Sequence, residues 1–303
     1  MMKILCLALV LLTTDGAHAQ KAGCSGKIGC LDKPKQVERL EIDKPGVYEN
    51  YLVDSNWQGG NRVKIKADNV TLRNCEIRNA TGNGVGVFGK NVTIENCKIH
   101  HLLNSTFKEQ HDAHGITGHW GNTTIRNCEI YYTSGDSVQF DPERNSVGEV
   151  LIENCTFWTG PLPADAAGFK KGESPGENAF DSKVREGEAQ RCKVTIRWCV
   201  FRGWRQPGQV DNLAALNLKE HIDATVTGCV FADNEIALRV RGPGKRGGAK
   251  VTVEQCAIES GAVGVRMEDK VEGLTIRGMK WGEGLKERYV KAGGGEGAGF
   301  LEE

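Results

Sequence analysis

The sequence predicts an all-β solenoid, one chain wound into a stack of short coils. Three observations predict it. Seven times a β-like run ends in a cysteine, one further residue and an aliphatic or aromatic side chain. The cysteines are Cys75, Cys97, Cys128, Cys155, Cys199, Cys229 and Cys256, at spacings of 22, 31, 27, 44, 30 and 27 residues. Repetition at this scale marks stacked supersecondary units. Within the units the apolar residues show no helical period, and strand-like alternation takes its place. Four of the cysteines follow Asn74, Asn96, Asn127 and Asn154. Asparagine tolerates left-handed backbone and bonds neighbours through its amide, so one bend per coil is expected to carry a hydrogen-bonded ladder.

The elements follow in order. Residues 1–19 carry a lysine, an apolar stretch from Ile4 to Leu12, and small residues at Ala17 and Ala19. That is the pattern of a secretory signal peptide. The stretch is too short to span a membrane and no later segment qualifies, so a secreted protein, extracellular or periplasmic, with no membrane partner is expected. Residues 20–45 read as an N-terminal cap. It holds Cys24 and Cys30 in a glycine-rich segment outside the repeats, the better disulfide candidates. Cys192 has no evident partner. The seven repeat cysteines read as small apolar residues lining a core. Residues 46–290 form the coils, about eight, and the Gly- and Glu-rich residues 291–303 a flexible tail. Thirty-nine acidic residues balance 39 basic ones and 39% of residues are apolar. This fits one large monomeric domain and lacks the basic excess of a general nucleic-acid binder.

A second run precedes each later cysteine run. The aligned copies begin Gly84-Val85-Gly86-Val87-Phe88 and continue from Gly115, Ser137, Ala179, Ala215, Ala237 and Gly264. The second place is always apolar and the fourth mostly so, and strand alternation turns both inward. The third and fifth places then face outward. Down the stack the third place reads Gly86, Thr117, Gln139, Asp181, Asn217, Arg239, Arg266, and the fifth reads Phe88, His119, Asp141, Lys183, Lys219, Arg241, Glu268. Neighbours in a row should lie about 4.8 Å apart. His111, Asp112, His114, Asp136, Glu177 and Asn178 lie on the approach to this patch. Long connections at Thr159–Gly176, Val184–Arg191 and Arg202–Asn212 are expected to wall a groove over it. Trp120, Trp158 and Trp204 are candidates to stack on sugars, and Trp198 is a packing residue at the asparagine position.

Coils this short, with an asparagine at the bend, resemble the right-handed parallel β-helix of the pectate-lyase-like superfamily. The resemblance covers roughly residues 46 to 290 and speaks for fold more than for activity. It implies a polysaccharide lyase acting on an anionic, uronic-acid-containing polymer. Such an enzyme neutralises the sugar carboxylate, removes the adjacent C5 proton and expels the 4-linked oxygen. Gly176-Glu177-Asn178-Ala179-Phe180-Asp181-Ser182-Lys183 looks like the acid-rich strand, ending in a lysine base, of calcium-dependent alginate and chondroitin lyases of this fold. On that resemblance Lys183, Lys219 and Arg241 are the catalytic candidates. Arg239, His111, His114, Gln139 and Asn217 would bind substrate. Asp136, Asp141, Glu177 and Asp181 would hold Ca²⁺, a cation that takes six to eight oxygens.

Two rivals share these features. A glycoside hydrolase on the same fold would use Asp136, Asp141 and Asp181 as its carboxylates, although the paired aspartates of polygalacturonases are absent. A non-catalytic, glycan-binding adhesin would explain the repeats and the basic rungs, but not the carboxylates grouped with Lys183.

Overall fold

The computed structural model describes residues 21–140, 147–205, 213–293 and 300–303. Residues 1–20, which include the expected signal peptide, and Asp141 lie outside the described residues, as do residues 206–212 with Pro207. The chain is an all-β stack of parallel strands in which each coil pairs with the next. Each coil carries three strands, not the two runs expected. The cysteine run breaks at the residue before the cysteine, as between Val70–Arg73 and Glu76–Ala80. That residue is left-handed in coil after coil, with φ of 52° at Asn74, 54° at Asn96, 50° at Asn127, 53° at Asn154, 53° at Trp198 and 61° at Gly228. The asparagine signal therefore marks a corner between two faces.

The first face contains ten strands, from Gly46–Glu49 to Phe300–Glu302. The second follows the cysteines, and the third is the predicted second run, starting with Leu40–Ile42, Val63–Ile65 and Val85–Val87. Strand pairing begins at Lys35–Val37 and ends at Phe300–Glu302, beyond both ends of the 46–290 span.

At the corner the seven cysteines are fully buried and stacked, each a free thiol. The backbone N–H of Cys128 points at the Cys155 sulfur at 3.4 Å, and that of Cys199 at the Cys229 sulfur at 3.4 Å. Beside them Asn127 Nδ2 donates to Asn96 Oδ1 at 2.7 Å, a step of the expected ladder. A second asparagine ladder, Asn69, Asn91 and Asn122, guards the entry to the first face at 3.1 and 3.3 Å. The interior is apolar side chains in register. Phe157, Phe201 and Phe231 stack at 5.2 and 5.0 Å, each contributing about 1.5–3 kcal/mol through burial.

The Cys24–Cys30 disulfide expectation is corrected: the two sulfurs are not bonded to each other. The reason is the path of the N-terminal segment, which runs lengthwise along the stack. Gly23 N–H donates to Trp198 O, Ser25 N–H to Asn127 Oδ1, Gly29 N–H to Asn96 O and Leu31 N–H to Asn50 Oδ1. Trp198 and Asn50 are five rungs apart, about 24 Å, and eight extended residues cover about 26 Å. A strap this stretched holds its two cysteines on different rungs. The Cys24 sulfur lies 3.2 Å from Thr156 Oγ1 and the Cys30 sulfur 3.2 Å from Tyr51 O.

Candidate functional site

The third face pairs the rows as the alignment reads them, but the expected solvent exposure is corrected: Gln139, Asp181 and Asn217 in the third row and Glu268 in the fifth are buried under their charged and polar neighbours. Strand pairing sets Gly86 against Thr117, Thr117 against Gln139, Gln139 against Asp181, Asp181 against Asn217, Asn217 against Arg239, and Arg239 against Arg266. In the fifth row Lys183 and Lys219 follow from adjacent strands. Ser182 links them, donating through Oγ to Lys219 O at 2.8 Å and accepting from Lys219 N–H at 3.1 Å. Trp120 also positions Lys183. Its Nε1 donates to Lys183 O at 2.8 Å from inside the stack.

One position upstream of the aligned five-residue runs lies a polar row that the alignment missed. Asn83 Nδ2 donates to Asn61 Oδ1 at 3.0 Å, and Asn83 Oδ1 accepts from His114 N–H at 2.9 Å. His114 Nδ1 accepts from Asp136 N–H at 2.9 Å, and Asp136 Oδ1 accepts from Asn178 Nδ2 at 2.8 Å. His114 is thus buried and engaged with the backbone of the next rung. Gly135 makes room for it, since a Cβ there would lie 2.7 Å from His114 Nδ1. The signal was present as a polar residue before a small one: Asn83-Gly84, His114-Gly115, Asp136-Ser137 and Asn178-Ala179.

Three carboxylates, Asp136, Glu177 and Asp181, lie within electrostatic reach of one another here. Burial pushes Asp136 well above the ordinary carboxylate range. Asp181 and Glu177 add to that, against the Asn178 amide and Lys183. Glu177, half-buried, is raised by burial and by Asp181 and Asp112. Asp181 is raised by burial even though Lys219 Nζ sits 3.1 Å from its Oδ1. Asn217 Nδ2 donates to the same Oδ1 at 3.0 Å, and Asn217 Oδ1 is buried with no partner among the described residues. Gln139 is buried between Thr117 and Asp181. Lys183 makes no ion pair among the described residues and faces all three carboxylates.

These oxygens suit calcium chemically. However, no group of three or more His, Cys, Asp or Glu among the described residues converges closely enough to hold a metal ion, and Asp141 falls outside them.

Arg239 and Arg241 are not open cations. Arg239 grips Glu268 through Nε at 3.0 Å and Nη2 at 2.8 Å, Arg266 Nε lies 2.7 Å from Glu268, and Arg241 Nε 3.4 Å. Burial would raise the Glu268 carboxyl, but the three arginines outweigh it and hold it low. His111 is exposed on the connection before the third face, where its carbonyl accepts from Ser134 Oγ. The tryptophan expectation is corrected. Trp120 and Trp204 are fully buried, and Trp158 stacks on Tyr131 at 4.2 Å. His100 lies against the other face of Tyr131 at 4.8 Å. The Thr159–Gly176 connection packs Leu162 and Phe169 with Leu103, Tyr131 and Tyr132, forming a second small core outside the stack. A cleft of about 780 Å³ lies on the first face, away from the carboxylates. Its Lys193 and Arg197 are paired with Glu149 and Glu153.

Residues 47–168 match the family described as right handed beta helix region. No curated protein matches the chain. Among solved structures the chain is similar to the alginate lyase from Paenibacillus sp. str. FPU-7, with a TM-score of 0.62 and 12% identity over 85% of this chain and 88% of that one. It also matches the pectate lyase Pel9A, with a TM-score of 0.41 and 14% identity over 91% of this chain and 68% of that one. The likeness expected from the coils holds at the level of the fold: the chain is a right-handed parallel β-helix.

Proposed function

We propose that the protein is a secreted polysaccharide lyase that cleaves an anionic, uronic-acid-containing polymer by β-elimination. The observation that carries this reading is Lys183: a lysine without an ion pair among the described residues, at the outward fifth place of the third face, under the influence of the buried Asp136 and Asp181 and the half-buried Glu177, and one rung from Lys219. The Paenibacillus protein that shares the fold is an alginate lyase, an enzyme of this class.

In the proposed reaction the polymer lies along the outward rows, across the strands. Lys219, one rung on from Lys183, offsets the charge of the sugar carboxylate. Lys183 Nζ takes the C5 proton. The C5–H electron pair forms the C4=C5 double bond as the C4–O4 bond breaks, and O4 leaves with a proton. Glu177 supplies that proton, because burial and neighbouring acids keep its carboxyl protonated to higher pH than an ordinary glutamate. Asp181 holds Lys219 in place, and Asn217 and Gln139 complete the floor. No step runs through calcium.

The three carboxylates would also serve a hydrolase, and the product separates the two readings. Incubation with a panel of uronic polymers should generate the ultraviolet absorbance of unsaturated ends. New reducing ends without that absorbance would establish hydrolysis, and binding without turnover would establish the adhesin.

A further inference from the structure

Beyond Arg241 the chain makes a glycine-rich turn that the repeat does not anticipate. Gly247 N–H donates to Gly244 O at 3.2 Å, closing the turn. The turn is pinned at both ends. A Cβ on Gly242 would lie 1.8 Å from Asp269 O, and one on Gly247, where φ is +78°, would lie 3.0 Å from His221 Nδ1. With Lys219, Glu220 and Arg241 the turn encloses a cavity of about 240 Å³. That is below the roughly 300–1,000 Å³ of drug-sized ligand sites, so it suits one sugar ring.

The charge in this cavity is one-sided. Lys219, Arg241, Lys245 and Arg246 line it against the single carboxylate of Glu220. Arg246 reaches Glu220 only at 3.5 Å, and Arg241 reaches Glu268 and Asp269 only at 3.4 Å each. Lys245 is exposed and makes no ion pair among the described residues. Glu220 Oε2 accepts from Val184 N–H, next to Lys183, while its Oε1 faces Arg246. One side chain thereby ties the turn to the Lys183 strand. Lys219 belongs to both places, since it lines the cavity and holds Asp181.

We infer that this cavity is a subsite for a single uronate, whose carboxylate is held by Lys245, Arg246 and Arg241 beside the sugar that reacts at Lys183. The inference rests on the uronic-polymer reading above. Lys183 and Arg241 are two rungs apart, about 10 Å, which makes the cavity the seat of a neighbouring unit and not of the reacting one.

The test is a Lys245→Ala/Arg246→Ala double variant of the full chain. Tetrasaccharides of alginate, polygalacturonate, hyaluronate and chondroitin serve as probes, together with their carboxyl-reduced counterparts. Binding is measured by calorimetry at low salt and at about 0.5 M salt, where charge contacts are screened. Whichever acidic probe the wild type binds should bind the variant about tenfold more weakly at low salt, with the difference shrinking at high salt and the reduced probe unaffected. Equal weakening of acidic and reduced probes overturns the inference, because it reports a disturbed turn. Unchanged affinity together with wild-type turnover overturns the subsite and leaves the lyase reading standing. Weakened binding without any wild-type turnover does the reverse. A wild type that binds no acidic probe removes both.

Discussion

Replacing Lys183 by alanine tests the chemistry at its centre. A general base contributes roughly 10²–10⁴-fold to turnover, or about 3–5 kcal/mol. It must also come within about 2.6–3.2 Å of the proton it removes. Lys219 is one rung away, about 4.8 Å, and its Nζ is anchored 3.1 Å from Asp181. It cannot take over without abandoning that carboxylate, so the full loss is expected. Lys183→Arg should lose nearly as much, because arginine keeps the charge but does not give up a proton. The fold should survive both changes. The Lys183 side chain makes no ion pair among the described residues, and what Trp120 holds is its backbone carbonyl, so Tm should fall by no more than about 3 °C. The assay is the initial rate of ultraviolet absorbance on the polymer that the wild type cleaves, with thermal melts alongside. Turnover of Lys183→Ala within tenfold of wild type would refute the assignment. A matching collapse in Lys219→Ala would then move the base to Lys219.

Three further outcomes are expected. Asp136→Asn keeps an oxygen for Asn178 Nδ2 and removes a carboxylate whose folded pKa is raised. Such a group costs stability as pH climbs from its unfolded value toward its folded one, so the variant should melt a few degrees higher than wild type at pH 8 and show no gain near pH 4. A lower Tm at pH 8 would contradict the electrostatics. His101 is held down to about 4 by burial and by His100. The unfolded chain therefore binds that proton first, and stability should fall as pH drops from about 6.5 to about 4. A His101→Phe variant melted across that range should lose part of the slope, and an unchanged slope would acquit His101. Finally, a chelator should leave turnover unchanged. Loss of turnover that Ca²⁺ alone restores would assign charge neutralisation to a metal held by Asp136, Glu177 or Asp181.

Much of the site was legible because two periods coincide. The cysteine recurs once per coil, and the strand alternates every second residue. Together they locate Asp181, Asn217 and Arg239 on adjacent rungs with no knowledge of distances, and the pairing agrees residue for residue. The same alternation, carried one place further, shows why Trp120 was misread. His119 holds an outward place, so its successor must turn inward, and Trp120 is fully buried. Val184, after Lys183, is buried for the same reason. The row through Asn83, His114 and Asp136 escaped because it lies in the turn before the strand, where no period applies. Its coupling runs between rungs, through backbone N–H groups that composition does not display. The turn after Arg241 escaped for a related reason: it occurs in one coil, and a reading built on repetition discounts what is not repeated. The stack also explains why such single departures matter. A parallel β-helix satisfies its backbone between successive rungs and its apolar side chains within the core, so an insertion at a corner disturbs neither. The unrepeated segments are therefore where acidic, basic and glycine-rich residues can gather at little cost to the fold. The cavity at Lys245 and Arg246 and the Glu177 segment both adjoin such insertions, on the third face.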